Sequence, residues 1–510
     1  MASPAAKPAG AAPAAPAAAV AAGPTGPAPG EPSEWVVALG EEAANLDPNT
    51  GQTSNGNGQI QQHIFSTLYY FVALRDGPGF TMVPGLAESY KIVDPTTWEF
   101  ALRKGVKFHN GDDFTAEDVK YSFDEYTKET SPRPEMKPAI ASTEVIDPHT
   151  IRLTTKGPQA ALLSIVSFAN IMPKKAREAA GVEAFNLKPI GTGPYKLVEW
   201  TRGNRVVLEA NPDYFEGKVA PQKLTIRYIP DPTTRVAELK TGGVQILQSP
   251  ALAQFEDIKG DANATLLPLN GGRAMHVLFV TAKKPFDDVR VRQAVMYAID
   301  KDAIVKSVLE GYGEPLHGPF SSGWIGYDPS LSPYPYDPAK AKALLAEAGY
   351  AGGVDVTYHM TNGVYLRDRE VAEVVAAQLG EVGIRLRLQT GEVAKILTDW
   401  RAGSLDGMLI HAWGTSADPE NMITTEYYKR TGHAPDAQLT TLIERSRSTV
   451  EPAERLKVLQ ELGKYLHDQA YCMCIYSQDE FWAKRKNINW EAYPYGGSYS
   501  RVQLYRLEKR

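Results

Sequence analysis

The stretch from Glu370 to Leu388 reads EVAEVVAAQLGEVGIRLRL, and its two parts obey different rules. Residues 370–383 predict a helix that stops at Gly383, a residue free to take the left-handed turn that ends helices. Ile384–Leu388 then predicts a strand. The same grammar extends upstream. Asp337-Pro338 opens another helix, with proline at the first helical position and Gly349 as its stop. Val289–Leu309 predicts one amphipathic helix capped by Asp287 or Asp288. From about residue 285 onward, strands and helices therefore alternate, which is the pattern of βαβ units in an α/β domain.

Before residue 285 the chain reads differently. Trp35–Leu39 is a short apolar run suited to a buried strand, followed by a turn at Asn45-Leu46-Asp47-Pro48. Residues 59–75 (QIQQHIFSTLYYFVALR) carry apolar side chains at helical spacing. Thr97–Leu102 alternates like a strand and runs into a turn at Lys104-Gly105. Thr115 with Asp118 forms the capping-box pattern of a helix start. Residues 143–230 are rich in strand signals, including Thr150–Thr154 and Val206–Glu209.

Composition narrows the function. A chain of 510 residues outgrows a single hydrophobic core, so roughly two or three folding units are expected. Hydrophobic residues at 43% and charged residues at 22% match a folded protein and exclude wholesale disorder. The net charge of −6 argues against a nucleic-acid partner, which needs a clustered basic face. No window supplies the roughly 18 consecutive apolar residues of a membrane helix. Residues 1–32 are almost wholly Ala, Pro and Gly, with Lys7 and Glu31 as their only charges. That composition predicts a disordered tether and lacks the basic and apolar regions of a signal peptide. A tether of this kind suits a lipoprotein whose acylated cysteine lies upstream, with Met1 standing where a signal segment has been cut away. Cys472 and Cys474 are too close in sequence for an unstrained disulfide and too few to complete a zinc site, so core or half-buried strand thiols are expected.

Catalytic signatures are missing from the sequence. It holds no G-x-S-x-G elbow, Walker loop, dinucleotide fingerprint or H-E-x-x-H pair. Gly191-Thr192-Gly193 runs into Pro194, which has no N–H for a phosphate cradle, so a turn is expected there. The nine histidines are scattered without metal-ligand spacing. The reading is of a protein that is not an enzyme and carries no cofactor and no metal.

Four further segments carry a resemblance. They are GLAESY (Gly85–Tyr90) with WEFALRKGVKFHNGDDFTAEDV (Trp98–Val119); PIGTGPYKLVEW (Pro189–Trp200) with NPDYF (Asn211–Phe215); FDDVRVRQAVMYAIDK (Phe286–Lys301); and YDPAKAKALLAEAGY (Tyr336–Tyr350). Read in order, they resemble the large, three-domain extracellular solute-binding proteins of ABC importers, family 5. The resemblance implies a periplasmic-binding-protein-like clamshell of two α/β lobes joined by a hinge, with an additional inserted α+β domain. Lobe I would comprise 33–58, 188–282 and 478–510, the inserted domain II 59–187, and lobe III 283–477, after the tether of 1–32. The implied partners are a small-molecule ligand and the permease subunits of the importer. The chain would act as an extracytoplasmic monomer, touching the membrane only through a lipid anchor.

The same resemblance points to the cleft. In dipeptide and oligopeptide binders the segment matching Ile410–Asn421 (IHAWGTSADPEN) carries an aspartate that pairs with the peptide's amino group, whereas this chain has Thr415 and Ser416 there. Asp418 matches the separate aspartate that caps the next helix. A buried ammonium without a carboxylate costs several kcal/mol, of order 3–5. This tilts the expected ligand away from short peptides and toward neutral hydroxylated solutes such as oligosaccharides, with longer peptides, opine-like conjugates and metal chelates as alternatives. Trp413 offers a flat face for a ring or side chain, next to Gly414, Thr415 and Ser416. Further candidates are Tyr69 and Tyr70 on the first helix, Tyr365 and Arg367 in the loop after the strand His359-Met360-Thr361, and Glu42 near the end of the first strand. A cleft hydrolase or a ligand sensor without transport are the readings from other classes.

Overall fold

The computed structural model describes residues 30–50, 55–73, 80–131, 136–413, 418–427, 433–492 and 504–508. Trp35–Leu39 lies within the strand Glu34–Leu39, with Trp35, Val37, Ala38 and Leu39 buried. It runs parallel to Lys223–Tyr228 on one side and Ile246–Gln248 on the other. Arg205–Ala210 and Tyr195–Thr201 extend this part of the sheet outward as antiparallel neighbours. The second lobe uses Val354–Met360, parallel to Ile384–Thr390 and to Met408–Trp413. Central parallel strands covered on both faces read as apolar runs, as Trp35–Leu39 and Met408–Ile410 do, whereas Ile384–Thr390 at the sheet edge alternates apolar and charged residues.

Two long strands join the halves. Ala264–Phe279 and Cys472–Arg485 pair antiparallel through most of their length. At one end Lys484–Trp482 flanks Ile246–Gln248 of the first lobe; at the other, Ala274–Phe279 flanks Trp413–Met408 of the second. A single eleven-stranded sheet thus runs through both lobes. Between the two ends the register slips, from Leu269 opposite Glu480 to Arg273 opposite Gln478. Gly272, at φ +62°, takes the left-handed conformation within that slip.

A separate antiparallel sheet belongs to the inserted domain, in the order Ala87–Asp94, Thr97–Leu102, Thr150–Thr155, Ile140–Asp147. The alternation in Thr97–Leu102 buries Trp98, Phe100 and Leu102 on one face. Helix Ala116–Tyr126 packs there through Val119 and Phe123, and its first turn carries the expected box, with Thr115 N–H donating to Asp118 Oδ2 at 3.0 Å. The domain is tied to the first lobe by a buried pair, Arg177 Nε to Asp47 Oδ2 at 2.8 Å. It reaches the second lobe through Ala160 N–H, which donates to Arg447 O at 2.8 Å.

Two expected helices are shorter than their periodicity suggests. The helical spacing of 59–75 persists only to Ile64, in a helix Asn55–Ile64, and Tyr69–Ala73 is a strand. The turn at Gly191-Thr192-Gly193 explains the stop: Gly193 N–H donates to Ile64 O at 2.8 Å, taking the carbonyl that would continue the helix. The aromatic and branched run Tyr69-Tyr70-Phe71-Val72 then pairs with Thr81–Pro84. Val289–Leu309 divides as well. Its first helix ends at Ala298, Ile299 is extended, and Asp300 caps a new start by accepting from Ala303 N–H at 2.8 Å. An aspartate that offers the backbone its own acceptor favours a helix start over a helix interior. Asp288, Asp337 and the glycines Gly349 and Gly383 take their expected capping and stop positions. Cys472 and Cys474 are free and buried within the second crossing strand.

Candidate ligand site

In open α/β sheets, ligands bind beyond the carboxyl ends of the parallel strands. Here the carboxyl ends from both lobes face one another. Ile246–Gln248 runs toward Trp482, so Gln248 and the parallel ends Leu39 and Tyr228 point at the second lobe. Met408–Trp413 ends opposite Ala274, and Val354–Met360 runs parallel to it, so these ends point back at the first lobe. Residues 270–273 and 478–481 of the crossing strands lie in the interval between them. The gap is therefore a product of topology.

Trp413 is half-buried at the gap end of its strand. Its indole N–H donates to Glu426 Oε1, and its ring stands edge-on to His411 at 5.2 Å. His411 Nδ1 lies 2.6 Å from the same Glu426 oxygen, and His276 Nδ1 lies 3.8 Å from Glu426 Oε2. Glu426 is wholly buried at the end of helix Glu420–Glu426. Burial alone would raise its carboxyl, but His276 and His411 hold it down to about 2. A buried anion thus fixes the orientation of Trp413 from below. Asp418, at the start of that helix, accepts from Glu420 N–H at 3.0 Å and pairs with buried Arg455, whose Nη2 lies 2.9 Å from Asp418 Oδ1. Gly414, Thr415 and Ser416 lie outside the described residues.

The loop after Met360 is built around another carboxylate. Asp368 accepts from Thr361 Oγ1 and Gly363 N–H, both at 2.7 Å, from Val364 N–H at 3.1 Å and from Tyr365 N–H at 3.2 Å. This holds Tyr365 buried at the loop's base, with its phenol raised by burial and facing Arg273 and Ala412. Leu366 N–H donates to Gln478 Oε1 at 3.3 Å, which joins the loop to the second crossing strand. Arg367 is left-handed at φ +49° and its guanidinium pairs with Glu310.

The structure brings Trp413 and Tyr365 to the same gap, with Glu426 acting electrostatically on Tyr365. The remaining candidates sit elsewhere or are engaged. Glu42, past the end of the first strand, accepts from Gly203 N–H at 2.6 Å. Tyr69 and Tyr70 stand on a strand, correcting their expected place on a helix. The Tyr69 ring packs edge-on against Tyr90 and Phe100 in the inserted domain, and the Tyr70 ring lies under Gly85.

Arg273, Gln478 and Glu480 occupy the passage itself, unanticipated from the sequence. Their register places them on one face of the sheet, because Arg273 opposes Gln478, and Glu480 follows Gln478 by two residues. Arg273 makes no ion pair within 4.0 Å among the described residues. Glu480 Oε2 is shielded from solvent without a hydrogen-bond partner, and burial pushes the Glu480 carboxyl up to about 7 against the pull of Arg273. The signal available in the sequence was Gln478-Asp479-Glu480 standing between the apolar runs Cys472–Tyr476 and Phe481–Ala483. Among the described residues, no three His, Cys, Asp or Glu side chains cluster as a metal site, and no helix is long and apolar enough to cross a membrane.

Two α/β lobes with facing strand ends and a gap spanned by two strands define a clamshell that captures a ligand. The profile of bacterial extracellular solute-binding proteins, family 5 Middle, matches residues 81–433, and the chain belongs to that family. A di/tripeptide-binding protein of Pseudomonas aeruginosa is 30% identical over 448 residues, covering 80% of this chain and 84% of the relative. The solved structure of HbpA2 from Haemophilus parasuis superposes with a TM-score of 0.79 at 25% identity, over 89% of this chain and 96% of that one. A periplasmic binding protein from Helicobacter pylori, solved with the peptide STSA, gives a TM-score of 0.73 at 26% identity, over 93% and 98%. The chain is a solute-binding protein of an ABC importer, a member of an extracellular, solute-binding family.

Proposed function

We propose that this protein captures a small, peptide-like solute bearing a carboxylate and delivers it to the importer's permease subunits, without chemically altering it. Arg273 carries this reading: a guanidinium without an ion pair among the described residues, held in the gap between the strand ends. A planar, permanently charged fork of donors matches a carboxylate in geometry and charge. Trp413 supplies the apolar wall, with its indole edge tied down by Glu426. The names of the di/tripeptide-binding relative and of the peptide-bound neighbour support the same solute class. This moves the preference from neutral hydroxylated solutes toward amide-linked ones, because the gap holds charge as well as a stacking surface.

Lobe I, the inserted domain and lobe III keep the sequence boundaries given above as the working division. Delivery as a monomer, from the periplasm or from a lipid-anchored position, completes the proposal. Isothermal titration of the full chain against pooled di- and tripeptides, reduced glutathione, and xylo- and cello-oligosaccharides tests it. Heat from the peptide pool or glutathione, reduced at least tenfold in Arg273→Met, is the expected result. Tight binding of an oligosaccharide with no response to any peptide would overturn the peptide reading.

A further inference from the structure

The two crossing strands carry one positive and one negative side chain into the gap, and the positive one alone has been given a role. We infer that Glu480 is the acceptor for a free ammonium group on the ligand, so that the protein selects solutes with an unblocked amine and reads that amine from the second crossing strand. This rests on the peptide-like reading above.

Three observations lead here. The first is position: Glu480 lies between the last second-lobe pairing of its strand, at Ser477, and the first-lobe pairing at Trp482, so its side chain belongs to the interval the two lobes enclose. The second is satisfaction. Glu480 Oε2 is out of solvent and unpartnered, which costs free energy in a folded protein unless another group completes it. The carboxylates around the gap have close partners: Asp368 accepts four hydrogen bonds, Glu426 accepts two on Oε1 while its unbonded Oε2 faces His276 Nδ1 at 3.8 Å, and Asp418 faces Arg455. The third is separation. Arg273 and Glu480 share a face but form no ion pair within 4.0 Å. Two opposite charges held apart on one face match the two ends of a short zwitterion better than they match each other.

The sequence after Trp413 agrees with this chemistry, since Thr415 and Ser416 offer no carboxylate to an ammonium. A carboxylate on the crossing strand removes the penalty that otherwise makes a buried amine unfavourable. It also couples capture to a proton. The groups facing Glu480 are Arg273 on the opposite strand and, beyond Arg273, the Tyr365 phenol on the second lobe's loop; Asp479, raised to about 6 by burial, has Glu314 as its near charge. An arriving ammonium favours the ionised form of Glu480, which is largely protonated below about pH 7 when the site is free. Binding near pH 6.5 therefore releases a proton from Glu480.

A competition experiment tests the inference. A pool of tripeptides and its N-acetylated copy are offered together, in equal amounts, to the full-length protein, and native mass spectrometry counts which form is retained. The expected result is at least tenfold enrichment of free amines by the wild type, falling to within about twofold of parity in Glu480→Gln. Titration in two buffers of different ionisation enthalpy should show proton release on binding the free-amine pool at pH 6.5, absent in Glu480→Gln and kept in Asp479→Asn. Equal retention of acetylated and free forms by the wild type, or an undiminished preference in a folded Glu480→Gln, overturns the assignment while leaving peptide capture intact. Retention of neither form overturns the peptide reading and this inference together.

Discussion

Glu426 shows how a residue with no exposure can govern the proposed ligand surface. Its carboxylate accepts from the Trp413 indole and from His411, with His276 beyond, so the wall of the gap is aligned by a buried charge. The arrangement has a definite pH window. Glu426 titrates near 4.5 when unfolded and is held at about 2 in the fold, burial notwithstanding, so its contribution is complete above about pH 4.5 and is lost as pH falls toward 2. His276 works in the opposite direction. Burial lowers its imidazolium, but Cys472 and Glu426 raise it beyond that, to a net position above 6.5. Its contribution is therefore complete below about pH 6.5 and is lost as pH rises through the folded value. Glu426→Gln keeps an acceptor for Trp413 and removes the charge. Its destabilisation by chemical denaturation should be of order 2–3 kcal/mol between about pH 5 and 6, shrinking below about pH 4. A deficit that does not vary with pH would show that the charge is irrelevant. Trp413 was legible in the sequence because it is an aromatic residue in a recognisable segment. Glu426 was not, since nothing local says that a glutamate thirteen positions later folds beneath that ring.

At the scale of elements, sequence signals succeeded where one local force decides. The Thr115–Asp118 box, the Asp337-Pro338 start and the Gly383 stop are chosen by backbone hydrogen bonding within a single turn, and each appears in place. Periodicity overreached where a distant segment intervenes. The helix from Asn55 stops at Ile64 because the Gly191-Thr192-Gly193 turn presses against its last carbonyl. The approach is close enough that a Cβ at Gly193 would lie 2.5 Å from Ile64 C and 2.6 Å from both His63 O and Ile64 O. These are backbone atoms, so no side-chain rotation relieves the clash. Gly193→Ala should cost about 3 kcal/mol or more, at the upper end of overpacking, read as a lowered denaturation midpoint. Gly203→Ala is a weaker control: Gly203 meets no atom within 4 Å and carries only the strain of φ +71°. Equal losses in the two variants would refute close approach as the reason for glycine at 193.

At the scale of the whole molecule, the α/β alternation and the collinear motifs made the lobes legible, but the way they join was not. Ala264–Phe279 and Cys472–Arg485 each serve both lobes, so a boundary drawn along the chain must cut through a strand that belongs to two cores. Met275, Val277, Met473 and Ile475 pack into the second lobe's core, whereas Trp482 packs into the first's. Such sharing follows from pairing between segments about two hundred residues apart, which no local pattern encodes. It also predicts how the molecule moves. The register slip between Leu269 and Arg273 interrupts the ladder between the lobes, and Gly272 at φ +62° lies within it, so bending concentrates there. Small-angle scattering should show the radius of gyration contracting when the free-amine peptide pool is added. Gly272→Val forces a branched side chain into the left-handed region, at a cost of about 1–3 kcal/mol. If that strain differs between the open and closed arrangements, as a hinge requires, the variant should change ligand affinity several-fold while leaving the Arg273 and Glu480 side chains untouched. Were Gly272→Val to lower stability with ligand affinity and contraction unchanged, the bend would have to lie outside the slip, and the crossing strands would act as a rigid floor beneath the gap.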